Sequence, residues 1–248
     1  MSLTMFWRVL CSLSVLGLSL AGCSDPQPPA PPVAVKLHRI VLIQPHGPID
    51  YAVGSNGGQQ SAIADFSNEL SNDVINPVQG QNSTNTKFRV QMAAAKLNLA
   101  VELGRSLEQA MRQQGYEVLV VSCPCLANSD QLVDNVANLK GKGDAVLDLA
   151  IADAGYASMA DHPYEPRVDL RIRLTNPNDN AVLYEDSVSY TRDWNPQHFN
   201  VVLDPTSGYS FDDDGKILAD PARAAAGLRS SIPELTRVVM QGVQSPAP

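Results

Sequence analysis

The sequence predicts one α/β domain with a mixed sheet ending in antiparallel strands, built in two or three layers. Three observations carry that expectation. Short apolar runs at His38–Gln44, Tyr116–Ser122 and Ala145–Ala152 have the length of buried strands. A long segment of helical period stands between the first two. After the third, two alternating segments flank a polar turn, as in an antiparallel hairpin. The expected order is β-α-β-α-β-β-β-α.

The first strand, HRIVLIQ, stops at Pro45. His46 to Thr86 is rich in Gly, Asn, Ser and Gln, with one short helical stretch at Ser61–Asn72, and reads as a functional loop or insertion. In Lys87–Gln114, Met92, Ala95, Leu99, Leu103, Leu107 and Ala110 recur at helical spacing, and Gly115 suits the residue after the helix end. The second strand follows at once. Asn128 with Gln131 three residues later forms a capping-box pattern, opening a helix through Leu132, Val136 and Leu139 that Gly141 and Gly143 close.

Ala145–Ala152 is the third strand. Arg167–Thr175 puts Val168, Leu170, Ile172 and Leu174 on one face, Asn176–Asn180 turns, and Val182, Tyr184, Val188 and Tyr190 return. Asp193–Ala219 reads as a long loop. Asp220 followed by Pro221 marks a helix start, and Pro233 divides that helix in two, with Gly242 at its stop. The first two helices would cross over between strands, and the last three strands would form an antiparallel edge.

The first residues do not belong to this domain. Arg8 precedes a mostly apolar run, Val9–Leu20, followed by Ala21, Gly22 and Cys23. That is the pattern of a secretory leader, too short to span a bilayer. Leu20-Ala21-Gly22-Cys23 resembles the lipobox of bacterial lipoproteins, which implies a leader over 1–22 and acylation of Cys23 by chains such as palmitate. Ser24 after it implies sorting to the outer membrane, with the domain in the periplasm. Residues 23–36 form the lipidated start and a spacer, with five prolines between Ser24 and Pro32, stiff enough to hold residues 37–248 about 30 Å from the bilayer. Loss of the leader removes Arg8, leaving 17 basic against 26 acidic side chains. A net charge near −9 argues against nucleic acid as a partner.

The segments LGRSLEQAMRQQGYEVLVV, GDAVLDLAIADAGY and RVDLRIRLTNPNDNAVLYEDSVSY, in this order, resemble the fold of the TolB amino-terminal domain and of CsgG-like envelope lipoproteins. The resemblance covers roughly Lys36–Tyr190 and implies partner binding or assembly in the envelope rather than catalysis. It does not imply a pore. Neither His46–Thr86 nor Asp193–Ala219 alternates over the about 9–11 residues of a lipid-facing strand, and Asp212-Asp213-Asp214 would be costly in lipid.

Few residues carry chemistry. Cys11 leaves with the leader and Cys23 is lipidated, so Cys123 and Cys125 are the remaining thiols, and an oxidising compartment favours their pairing. A structural role, a redox role and a metal-binding role all stay open for them. The redox role lacks a C-x-x-C spacing and a neighbouring base. His38, His46, His162 and His198 are scattered, without metal-ligand spacing. Ser210–Gly215 fails as a calcium loop, because Pro221 falls where the bidentate Glu belongs. Gly54–Gly58 lacks the lysine of a phosphate-binding loop, and there is no G-x-S-x-G. Trp194, Phe199, Tyr209 and Phe211 either form an exposed partner surface or fold back over the core.

No catalytic residue, cofactor or metal is therefore expected. The leading expectation is a non-enzymatic lipoprotein, held to the bilayer by Cys23, that binds an envelope protein in secretion, transport or surface assembly. A periplasmic small-ligand binder is the alternative, and a thiol redox protein using Cys123 and Cys125 the third.

Overall fold

The computed structural model describes residues 37–47, 51–55, 84–123, 129–158, 162–192 and 199–244. The chain divides into two compact units, Met1–Val33 and Ala34–Pro248, and all described residues lie in the second. The fold is α/β, with a seven-stranded mixed sheet. Its elements are β1 (Arg39–Ile43), β2 (Ala52–Ser55), α1 (Thr84–Ala94), α2 (Leu99–Gln113), β3 (Glu117–Val121), β4 (Ala145–Ser158), β5 (Glu165–Thr175), β6 (Val182–Tyr190), β7 (Val201–Leu203), α3 (Asp214–Ala219), α4 (Pro221–Arg229) and α5 (Ser231–Gln244).

The strands lie in the order β3-β1-β4-β5-β6-β7. β1 runs parallel to both β3 and β4, whereas β4, β5 and β6 are antiparallel. The fourteen-residue β4 organises the sheet. Along one side it pairs with β1 through Ala145–Leu147, then with His46 at Ala150, then with β2 through Gly155–Ser158.

The helices share one face of the sheet, so the domain has two layers. Leu103, Leu107 and Met111 of α2, Ala225 and Leu228 of α4, and Leu235 and Val239 of α5 pack with Leu42, Leu147, Leu149, Leu170 and Ile172 in one core. Tyrosine hydroxyls tie the layers together. Tyr156 donates to the Ala224 carbonyl at 3.1 Å, and the Tyr190 hydroxyl lies 2.9 Å from that of Ser230. The second face cannot bury a helical layer, because Arg167, Asp169, Arg171 and Arg173 of β5 occupy it. Among the described residues a small cluster forms there, Val41, Ile43 and Val146 beneath Val136 and Leu139.

The structure corrects the expected order at several places. The segment read as one helix from Lys87 to Gln114 is two. Lys96 takes φ +53, the Leu97 and Lys96 amides bond back to Met92 and Ala93, and Asn98 caps α2 by accepting from Val101. Arg229 reaches Glu102 and the carbonyls of Ala95 and Lys96, closing the break from outside. Gly115 ends α2 at φ +89, as expected.

The second crossover helix is replaced, within the described residues, by a single 3₁₀ turn at Ala137–Leu139; Asn128 of its capping box lies outside them. Val133 and Val136 spend their amides on Asp148 and Asn180 side chains instead of on a helical ladder. β2 falls in the stretch read as loop, as do β7 and α3 further on, while the Ser61–Asn72 helix lies outside the described residues. The antiparallel hairpin is present, but β7 adds parallel to β6 and becomes the edge. The last helix divides at Ser230 rather than at Pro233, which sits in the first turn of α5, where a missing amide costs no bond.

Candidate functional site

β4 sets the geometry of the polar face. Leu147, Leu149 and Ile151 point into the core, and the next core residues are Ala154 and Tyr156. A bulge between Ile151 and Asp153 makes that change of phase, and it turns Asp153 away from the helices. Asp153 then stands opposite Asp169 of β5, two carboxylates on neighbouring strands. Arg167 serves both, with Nε 2.9 Å from Asp169 Oδ2 and 3.8 Å from Asp153 Oδ2. Asp169 is buried and also accepts from the Ser189 hydroxyl.

One guanidinium thus faces two carboxylates. Burial, and then the charge of Asp169, push the Asp153 carboxyl up to about 6 against the pull of Arg167. Beside it lies a cavity of about 20 Å³, the size for a single water, with Gly54, Gly155 and Arg167 in its wall. Further along the same face, Glu165 pairs with Arg192 at 3.1 Å, while its buried Oε2 has no hydrogen-bond partner among the described residues.

Because its folded pKa lies above the ordinary 3.8, Asp153 favours the folded state most when protonated. Its contribution is intact below about pH 4, falls between pH 4 and 6, and is level above that. Asp153→Asn should therefore gain on the wild type as the pH rises through that window, and hold a constant advantage above pH 7. Urea unfolding midpoints at pH 4, 5, 6 and 7.5 measure this. A difference independent of pH would assign the carboxyl an ordinary titration.

His46 and Asp148 form a second buried constellation. His46 Nε2 lies 2.9 Å from Asp148 Oδ1, and Nδ1 lies 2.9 Å from the Ser129 carbonyl. Asp148 Oδ2 accepts the Val133 amide at 2.6 Å. Burial pushes the imidazole pKa down, but the hydrogen bonds to Asp148 and Ser129 and the Asp148 charge outweigh it, raising His46 above its ordinary 6.5. Both ring nitrogens and both carboxylate oxygens are hydrogen-bonded within the fold and both side chains are buried, so this pair is not presented to a substrate.

A groove opens at the other end of the sheet. Tyr184 and Asp186 of β6, Val201 and Leu203 of β7, and Arg237 and Gln241 of α5 line about 320 Å³ open to solvent. The Tyr184 hydroxyl donates to Asp186 at 2.8 Å, and its ring packs on Gly242, where a Cβ would lie 2.2 Å from the ring. β7 pairs only with β6 among the described residues, and its Val202, alternating with the groove-lining Val201 and Leu203, is 37% exposed on the other face of the strand. The periodicity of β6 hinted at this wall, since Tyr184 belongs to its inward series; nothing in the sequence paired it with α5.

The residues singled out from the sequence are dispersed. Of the aromatics left open between a partner surface and the core, Phe211 takes the second course: it is buried, packed edge-on to Tyr156 and covered by the Arg223 guanidinium. Tyr209 is half-buried over Gly227 and Phe199 is half-buried, while Trp194 lies outside the described residues. Cys123 is half-buried at the end of β3, and Cys125 lies outside the described residues, as does Cys23. His38 and His162 are exposed, and His198 is outside. Asp213 caps α3 by accepting from Lys216, whose ammonium pairs with Asp212, so these acids serve a helix start. Among the described residues no three His, Cys, Asp or Glu are grouped to hold a metal, and no helix is long and apolar enough to cross a membrane.

No family model matches the chain, and no curated protein does. Among solved structures, it is similar to the lipoprotein GNA1162 of Neisseria meningitidis, at 13% identity over 64% of this chain and 87% of that one, with a TM-score of 0.29. It is similar to protein XCC0632 of Xanthomonas campestris, at 14% identity over 86% and 92%, with a TM-score of 0.37. The LpoB C-terminal domain of Salmonella enterica aligns at 10% identity over 64% and 87%, with a TM-score of 0.19. At these values the likeness is partial, and the properties of those proteins do not transfer to this chain.

Proposed function

We propose that this protein is a non-enzymatic lipoprotein of the bacterial envelope, tethered by an acylated Cys23, that binds an extended segment of a protein partner. The observation that carries the reading is the groove between α5 and the β7 edge. An edge strand presents unpaired amides and carbonyls that a second chain can continue. Here that edge borders an apolar floor, Val201, Leu203 and Val238, rimmed by Asp186, Arg237 and Gln241. A peptide alongside β7 could place alternate side chains in the groove. The open shape suits such a segment better than a metabolite, which pockets enclose on most sides. The anchor adds effective concentration, since a tethered domain meets a membrane-bound partner far more often than a free one.

A photo-crosslinking residue at Val202 of the β7 edge in the native lipoprotein tests this, with one at Val182, which is 53% exposed at the start of β6, as control. One stoichiometric envelope protein captured from Val202, absent from Val182 and lost with Cys23→Ala, is the expected result. Equal or no capture from correctly anchored protein would sink the reading.

A further inference from the structure

We infer that residues 129–139 form a proton-operated strap, closed over the second face of the sheet while His46 carries both ring protons and loosened when it loses one. The strap has little order of its own, a single 3₁₀ turn in eleven residues. Its apolar underside is Val133, Val136 and Leu139, resting on Val41, Ile43 and Val146. Side chains from the sheet fasten its backbone. Arg171 donates to the Asp130 carbonyl at 3.3 Å, Arg173 to the Val133 carbonyl at 3.4 Å, and Asn180 exchanges bonds with Val136 and Asp134. The central clasp is His46 on the Ser129 carbonyl and Asp148 on the Val133 amide.

The clasp senses protons by its geometry. A carbonyl oxygen only accepts, so Nδ1 must donate to Ser129. An ionised carboxylate also only accepts, so Nε2 must donate to Asp148. Both bonds at once require the doubly protonated ring. Asp148 also accepts the Val133 amide and faces Arg173 across the β4–β5 ladder. A neutral imidazole must therefore turn one lone pair toward either the Asp148 carboxylate or the Ser129 oxygen.

The surrounding charges are accounted for. Asp148 from β4 faces the ring directly. From β5, Arg171 pairs with Asp130, and Arg173 pairs with Glu185 of β6 and Asp134 of the strap. None of those arginines or carboxylates has an ordinary pKa between 5 and 8, so His46 is the fastening that changes there. Since its folded pKa is raised, the clasp is complete below about pH 6.5 and is lost as pH rises through the folded value. Loosening the strap would uncover Val41, Ile43 and Val146, next to β3, where Leu119 and Val120 are already exposed.

Amide hydrogen exchange on the intact chain between pH 5.5 and 8.5 tests the inference, with intrinsic rates divided out. Protection at Val133 and Val136, relative to the core amide of Ile172, should fall by up to about tenfold per pH unit from about pH 6.5 to the His46 transition, and level off above it. In His46→Gln the ratio should be flat. The wild-type imidazole shifts, followed by NMR, should titrate in step with the loss of protection. That second measurement decides the matter even where the glutamine variant fails to fold. A ratio independent of pH in the wild type, ring titration without a change in protection, or a pH dependence that survives in His46→Gln would each overturn the strap.

Discussion

Gly155→Ala should destabilise the protein by about 3 kcal/mol or more, beyond the usual cost of one extra methyl in a packed region. A Cβ at Gly155 would lie 1.8 Å from the Ala52 carbonyl oxygen and within 2.9 Å of two further backbone atoms. Backbone cannot rotate away as a side chain can. To make room, β2 must leave β4, giving up the pairs from Ala52–Gly155 to Ser55–Ser158. It would take Val53 out of the core and strain the neighbouring Tyr51, whose hydroxyl meets the Leu97 carbonyl and the Leu99 amide at the helix break. The effect should therefore be read twice, as a lower urea midpoint and as faster exchange of the Val53 amide, which donates to Asn85 at 2.7 Å. Gly54→Ala, one ladder position before the end of β2, is the internal control. Nothing lies within 4 Å of a Cβ there, so its stability should stay within about 0.5 kcal/mol of the wild type. Equal behaviour of the two variants would mean that β2 does not hold its place against β4.

Asp169→Ala should cost about 3 kcal/mol, because it removes one partner of a mostly buried ion pair and leaves the other. Asp169 is the hub of the polar face, bound by Arg167 and by the fully buried Ser189. Without it, the Ser189 hydroxyl loses its acceptor and the Arg167 guanidinium has Asp153 as its nearest carboxylate. Two consequences follow from the same change. Stability falls, and the Asp153 carboxyl, relieved of one repelling charge and given an undivided cation, titrates below its present value of about 6. Burial, the larger cause of the shift, remains, so the fall should be partial. Carboxyl ¹³C titration beside urea unfolding reads both. A loss of stability with an unmoved Asp153 would show that the two carboxylates do not share Arg167.

The face carrying these groups was half legible in the chain. Alternation in RVDLRIRLT separates Val168, Leu170, Ile172 and Leu174 from the arginines and Asp169, and the structure keeps that division. Asp153 is different. Continued from Leu147, Leu149 and Ile151, strict alternation would send it into the core, and only the bulge after Ile151 turns it out. The sequence does hold a trace of that event, since the apolar series resumes on even numbers at Ala154 and Tyr156. The break between α1 and α2 left a similar trace. Asn98 followed by Glu102 marks a helix start, yet it lies among alanines that favour continuing the helix.

The segment from Ser129 to Leu139 shows a local signal losing to a distant one. Its leucines and valines fit a helix, but Asp148, Arg173 and Asn180 compete for its backbone groups, and all three belong to other parts of the chain. Pro233 shows the reverse, a residue whose effect depends on a helix boundary three residues away.

Although β3, read as a buried strand, is an edge strand exposed at Leu119 and Val120, the sequence by itself determined the fold class, the buried strands β1 and β4, the amphipathic faces of α2 and α5, and the hairpin. These follow from spacing and turn chemistry, which act between residues close in the chain. Tertiary structure alone decided that the helices share one layer, that His46 meets Asp148, that Asp153 faces Asp169, and that α5 and β7 bound a groove. Each joins residues far apart in sequence or depends on a shift in strand register, and such contacts form only once burial, charge pairing and hydrogen bonding are satisfied across the whole domain together.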